Sequence, residues 1–262
     1  MPLYSKLEDA LDALSQGRVI IVADSEDREN EADFLVAAEK VSAESVHFMI
    51  SEGRGQLCMP VTPQLARRLN LKPMVPRRTS NTPCFAIPVD HLLCTTGISP
   101  KERAFTIRMI VDESTRSNDF VRPGHVFPLI AREGGVLERQ GHTEATVDLL
   151  RLGGLVPAGV LCEICSRDGE HMATGDELLE IAKTFHMPII TIDEVIRAVE
   201  ASGRSSNGAN GPHPVNRLLG QLPVGNGTGA GRVPVCAPSG PHKRHGKHQQ
   251  TPPSSLDGTA LR

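Results

Sequence analysis

The sequence predicts an α+β fold: a layered α/β-type sandwich with a mixed sheet, flanking helices and a single domain. Three observations lead there. Short apolar runs such as "RVIIVA" at 18–23 read as buried strands, and stretches such as "LEDALDALSQG" at 7–17 read as amphipathic helices with their own stop signals. The two kinds of signal intermix over residues 1–200 with no visible repeat, which is the pattern of layered rather than segregated elements.

Taken in order, the first helix puts Leu7, Leu11 and Leu14 on one face and stops at Gly17. Strands follow at 18–23 and at "FLVAA", 34–38, then a helix from Ser42 to Gly53 and a strand at "GQLCMPV", 55–61. Thr62-Pro63 is a cap followed by proline at the first helical position, opening a short helix over 64–71. A proline-rich loop at 72–83 leads to "CFAIPVD", 84–90, read as a strand. "SPKE" at 99–102 is a capping box for a helix through "RAFTIRMIV". "HVFPLIA" and "VLER" bracket a turn at Gly134-Gly135, and "TEATVDLLRLGG" is a helix closed by paired glycines. A strand at "AGVLCEI", a helix at 174–186, a strand at "PIITI" and a helix at 193–201 complete the domain.

The chain has 262 residues, one tyrosine and no tryptophan, so its core rests on aliphatic residues and seven Phe. The N-terminus has no basic start with an apolar core, and no aliphatic run is long enough to span a bilayer, so no membrane association is expected. Six scattered cysteines read as reduced thiols of a cytoplasmic protein. From residue 201 onward there are seven Lys or Arg against one acid, with 11 of the 24 Gly and 8 of the 20 Pro. Such a segment buries too little apolar surface to offset its ordering entropy, so residues 201–262 are expected to be a disordered basic tail.

The chemistry concentrates in five stretches. "DSEDRENEADF", 24–34, places six carboxylates in ten positions with only Arg28 among them, between two apolar strands. Charge held at the end of a core strand suits a hard cation or a proton-transfer site better than a free surface loop. "ERQGHTEATVDL", 138–149, sets Arg139, Gly141, His142 and Thr143 at a helix start, a ready phosphate cradle. "CTTGISPKER", 94–103, repeats that pattern with Thr95, Thr96, Gly97 and Ser99, although such residues commonly act only as caps. "RPGHVFP" supplies His125 after a tight turn, and "GVLCEI" sets Glu163 on an otherwise apolar strand. Cys162 and Cys165 have redox-pair spacing but lie on a strand rather than at a helix N-terminus, which argues against that use.

In this order and at these separations, "DSEDRENEAD", "TTGIS", "RPGHVFPL", "GHTEATVDL" and "GVLCE" resemble 3,4-dihydroxy-2-butanone 4-phosphate synthase, over about residues 3–200. The resemblance implies conversion of the sugar phosphate D-ribulose 5-phosphate to L-3,4-dihydroxybutan-2-one 4-phosphate and formate, for riboflavin biosynthesis. It implies magnesium, or manganese, and a homodimer with active sites near the subunit interface. Position by position, the metal ligands fall on Glu29 and His142. Substrate contacts fall on Arg28, Asp33, Thr96, Arg139, Gly141, Thr143 and Glu163, and catalytic roles on His125 and Glu163 with Asp24 and Glu26 of the acidic loop.

Two positions depart from the family pattern: Ser25, where a second acid is usual, and Ala32, where glycine is usual. Many members continue into a zinc-binding GTP cyclohydrolase II domain, whereas Cys236 is the one cysteine after residue 200 here. Two other readings share these residues. One is a non-catalytic relative using the basic tail "PHKRHGKH" on a partner, but the tail lacks the interleaved aromatics of a nucleic-acid binder. The other is a metal-dependent sugar-phosphate isomerase, which would release no formate.

Overall fold

In the computed structural model, which describes residues 5–203 apart from 26, 77, 78 and 80, seven strands form one mixed sheet. They are β1 (Ile20–Ala23), β2 (Ala32–Ala37), β3 (Cys58–Val61), β4 (Val89–His91), β5 (Phe120–Ile130), β6 (Gly159–Glu163) and β7 (Ile189–Thr191), ordered β4-β5-β3-β6-β2-β1-β7. The β1/β7 and β3/β5 pairs are parallel and the others antiparallel. Seven helices flank the sheet among the described residues: α1 (Leu7–Ser15), α2 (Ala43–Phe48), α3 (Pro63–Arg68), α4 (Pro100–Val111), α5 (His142–Leu152), α6 (Gly175–Thr184) and α7 (Ile192–Ala201).

Neighbouring residues of the apolar runs serve opposite faces, which is why the strands show no polar alternation. Ile21, Phe34, Val36, Met59, Val160 and Cys162 pack with Val46 of α2, Ala66 of α3, Ile107 of α4 and Leu178 of α6. Ile20, Val22, Leu35, Ala37 and Ile190 pack with Leu14 of α1, Leu149 of α5 and Val195 of α7. Helix, sheet, helix is therefore the layer order, as the sequence predicts.

Five segments differ from their expected form or extend it. The helix from Ser42 becomes a π-turn over Met49–Gly53, ending at left-handed Arg54. "CFAIPVD" is regular only at its end: Pro88 has no N–H to give, so Cys84, Ala86 and Pro88 hold β5 through separate bonds and β4 begins at Val89. The bracketed turn runs on into "VLER" as a 3-10 turn, Gly135–Leu137, where buried Asp148 takes the Val136 N–H at 2.9 Å. β2 starts earlier than expected and includes Ala32 and Asp33, while β5 reaches back to Phe120.

Among the described residues no helix is long and apolar enough to cross a membrane. The expected disordered tail, from residue 204 on, lies outside the described residues. Cys162 and Cys165 are free, and burial, followed by the charge of Glu163, pushes the Cys162 thiol up to about 12. A thiol so hard to ionise is a poor redox nucleophile.

Candidate active site

The acidic stretch is the loop of the β1–β2 hairpin, closed where the Asp24 N–H donates to the Glu31 carbonyl at 2.9 Å. Asp24 turns inward, its side chain only 3% exposed, and accepts bonds from the Ser25 and Glu29 N–H groups and from the Arg28 guanidinium. Arg28 forks onto both oxygens of Glu29, at 2.7 and 2.8 Å. Burial works against the Arg28 charge, yet Asp24 and Glu29 hold its pKa above the ordinary arginine value. The Ser25 carbonyl accepts the N–H groups of Arg28 and Asn30, a backbone role that is open to any residue at that position. Ala32 sits in β2 outside the positive-φ residues, so replacing glycine there carries no backbone strain.

Strand register lines up the next groups. Val22 pairs with Asp33, and Asp33 pairs with Glu163. Directly opposed residues project to the same face of a sheet, so two carboxylates are neighbours there. Glu163 Oε2 accepts the Gln56 N–H at 2.7 Å. Gly55 makes that approach possible, since a Cβ on it would lie 2.5 Å from the Glu163 carbonyl oxygen. Asp33 is 3% exposed, and its Oδ1 has no hydrogen-bond partner among the described residues. Burial, then the charges of Glu163, Glu31, Glu29 and Asp24, raise its pKa well above the ordinary carboxylate value.

His142 opens α5 and donates from Nε2 to the Val22 carbonyl at 3.2 Å. That bond leaves Nδ1 as the free lone pair, 4.0 Å from Asp33 Oδ2. Burial lowers the His142 pKa, with Asp24 pulling the other way, which favours the neutral ring that metal ligation needs. One ligand atom each from Asp24, Glu29 and His142 lie within 4.8 Å of one another. Two carboxylates and an imidazole form a donor set that suits magnesium or manganese.

The N-terminus of α5 has Gly141 at its cap position and no side-chain cap, so the His142 and Thr143 N–H groups remain available to an anion, while the Glu144 N–H meets its own carboxylate. Thr143 is buried in that first turn. Arg139 lies just before it, 8% exposed, held by the Asn81 carbonyl at 2.9 Å and by Glu144 at 2.6 Å. Glu144, 2% exposed, also accepts the Arg132 N–H at 3.0 Å. Sequence reading missed Glu144, because an acid in a first helical turn is usually only a dipole partner. Glu144→Gln leaves the buried Arg139 charge without its counter-ion, so the expected loss is about 3–5 kcal/mol of unfolding free energy. Urea denaturation monitored by circular dichroism measures it.

His125 and Thr96 belong to a second grouping. His125 gives its N–H to Asp90 Oδ1 at 2.9 Å, and its ring Nδ1 lies 2.6 Å from Asp90 Oδ2. Thr95, Thr96, Gly97 and Ser99 all donate to the Glu102 carboxylate, which fills the cradle they form and has its pKa lowered chiefly by Thr95. Thr96 therefore bonds to Glu102, at 3.5 Å, and among the described residues not to the acidic hairpin. By register His125 lies at the Glu163 end of the sheet, because Cys58 pairs with both Phe127 and Leu161.

The structure thus gathers Asp24, Arg28, Glu29, Asp33, His142 and Glu163 at one end of the sheet, with Arg139, Gly141 and Thr143 at the adjoining helix start. Glu26 lies outside the described residues. Asp90 and Glu102 were missed along with Glu144. A carboxylate closing the run "CFAIPVD" was the one available signal for Asp90, and it reads equally well as a turn residue.

The family model of 3,4-dihydroxy-2-butanone 4-phosphate synthase matches residues 8–198. The chain is 51% identical over 195 residues to the riboflavin biosynthesis protein RibBA of Bacillus mycoides (strain KBAB4), covering 74% of this chain and 49% of that one. The RibBA of Bacillus cereus (strain G9842) is 50% identical with the same coverage. The chain therefore spans about half the length of the curated relatives it matches. Among solved structures, RibBX, a two-domain 3,4-dihydroxy-2-butanone 4-phosphate synthase from A. baumannii, aligns with a TM-score of 0.72 at 41% identity, covering 74% of this chain and 58% of that one. A 3,4-dihydroxy-2-butanone 4-phosphate synthase in complex with two magnesium ions aligns with a TM-score of 0.71 at 36% identity, covering 76% and 99%. This chain belongs to the 3,4-dihydroxy-2-butanone 4-phosphate synthase family.

Proposed function

We propose that this chain is a lyase that converts D-ribulose 5-phosphate to L-3,4-dihydroxybutan-2-one 4-phosphate and formate, in riboflavin biosynthesis. The observation that carries this reading is the convergence of Asp24, Glu29 and His142 beside the Asp33–Glu163 pair. A magnesium ion, or manganese, would be held by Glu29 and His142, with Asp24 as a further oxygen donor. The magnesium-containing relative supports that choice. When bound, the cation supplies positive charge for the oxygen anion created by removing a proton beside the ketone.

The chain's own residues do the rest. The open first turn of α5, with Thr143 and the nearby Arg139, suits the substrate phosphate. Arg28 and Asp33 face the sugar hydroxyls, and Glu163, with Asp24, Glu26 and His125, supplies bases and acids for the successive proton transfers. The five-carbon substrate equals the four-carbon product plus formate in every atom. The water lost in the dehydration step is therefore returned before formate leaves, and at least one group must serve as acid and later as base. Burial and neighbouring charge raise the pKa of Asp33 and, more modestly, of Glu31. Both carboxyls therefore hold a proton more readily than ordinary ones, which suits groups that pass protons.

The active unit is a homodimer in the cytoplasm. Leu92, Leu93, Ile98 and Val121, each about half exposed or more, support a subunit contact near His125. Sedimentation should give twice the chain mass.

Incubation with ribulose 5-phosphate and magnesium should release formate in step with the four-carbon product. An isomeric pentose phosphate without formate would replace this reading with the isomerase. Catalysis is assigned to residues 1–200, so a chain ending at Ala201 is expected to keep formate release within about twofold, a change of about 0.4 kcal/mol in barrier. Loss of most activity would assign the tail a part in the site or the dimer.

A further inference from the structure

We propose that Asp90 is the positioning residue of His125, holding the imidazole with its proton on Nδ1 so that Nε2 faces outward as the proton-transfer atom. This rests on the catalytic reading of His125 above. Opposite β4 the register of β5 breaks: Val89 pairs with Val126, but Asp90 pairs with Val121. The segment 122–125 is therefore an excursion from the ladder, and His125 is its last residue.

Asp90 is what fastens that residue. Its two carboxylate oxygens take different donors of His125, the backbone N–H at 2.9 Å and the ring Nδ1 at 2.6 Å. Backbone and ring are thus fixed by one group. Asp90 is 5% exposed, whereas the His125 side chain is 42% exposed. A buried carboxylate with a half-open imidazole in front of it fixes the tautomer while leaving the far nitrogen accessible.

The carboxylate is itself held. Gly97 has φ +83°, and a Cβ there would come within 2.1 Å of Asp90 Oδ2, so the loop before α4 lies flat against Asp90 and shields it from water. Glu102 anchors that loop by accepting the Gly97 N–H at 3.1 Å as well as bonds from Thr95 and Ser99. The cluster in "CTTGISPKE", whose donors suggest an anion cradle, acts here as the back wall of the Asp90–His125 pair.

A carboxylate that merely satisfied the excursion's backbone would not need to set the ring's proton. Nitrogen-15 NMR of the full chain with labelled histidine distinguishes the two cases, at pH about 8.5 where an ordinary imidazole is neutral. His125→Asn assigns the signal. In the wild-type chain His125 should carry its proton on Nδ1. In Asp90→Asn the amide cannot accept from both donors, so the proton should move largely to Nε2. In the same variant kcat for formate release should fall about a hundredfold or more while KM stays within about threefold.

A wild-type His125 protonated on Nε2 overturns the proposal, even where the variant fails to fold. An unchanged tautomer in folded Asp90→Asn overturns it too, as does a moved proton with undiminished kcat. If His125→Asn itself keeps wild-type kcat, the catalytic reading of His125 fails, and the NMR result still decides whether Asp90 sets the ring.

Discussion

Glu163→Gln should leave the protein folded, slightly more stable, and slower in formate release by about a thousandfold. The side-chain amide is nearly isosteric, and its carbonyl oxygen can accept the Gln56 N–H that Glu163 Oε2 accepts now at 2.7 Å. Across the strand pair stands Asp33, buried, with one oxygen unbonded among the described residues and with Glu163 among the charges that disfavour its ionisation. Glutamine removes one of two facing carboxylates and presents an N–H₂ group to the other. A gain of about 1 kcal/mol, or roughly 2–4 °C in Tm, is the expected size. Stability and activity moving in opposite directions marks a group placed for chemistry rather than for packing. Thermal melts and single-turnover formate measurements on the same preparation test both halves. Near-normal turnover would remove Glu163 from proton transfer, and a marked drop in Tm would make it a structural residue.

Glu163 also shows what a sequence can and cannot disclose here. A lone acid in "GVLCEI" stands out because every neighbour is apolar, and the same contrast exposes the acidic hairpin behind "RVIIVA". Buried strands and capped helices were legible for a related reason, since burial on both faces and helix capping each leave a local pattern. Contacts made at a distance leave none. That Asp33 faces Glu163 depends on the β2–β6 register, and that His142 reaches the Val22 carbonyl depends on where α5 crosses the sheet. Asp90, Glu102 and Glu144 escaped because each reads locally as a strand end or a helix cap. The π-turn over Met49–Gly53 and the excursion at 122–125 escaped because tertiary fit, not propensity, selects them.

The metal reading makes the other large prediction. Excess chelator should abolish formate release without unfolding the protein, and added magnesium should restore it. Few protein ligands meet at this point, magnesium keeps several waters, and Glu29 is half exposed, so the ion should exchange readily. The fold does not depend on it, because Arg28 already bonds to both Asp24 and Glu29 and offsets their mutual repulsion. Glu29→Ala and His142→Ala should each cost on the order of a thousandfold in kcat/KM at ordinary magnesium concentrations. Manganese should partly restore His142→Ala, whose remaining donors, Asp24 and Glu29, are oxygens. Because both substitutions remove the same ion, the double variant should be hardly worse than either single one. The ligand atoms of Asp24, Glu29 and His142 lie within 4.8 Å of one another, so Asp24→Asn should also weaken manganese binding, read directly by paramagnetic relaxation of solvent water without any turnover. Additive losses in the double variant, full activity in excess chelator, or manganese binding indifferent to all three substitutions would each show that these residues do not share a catalytic cation.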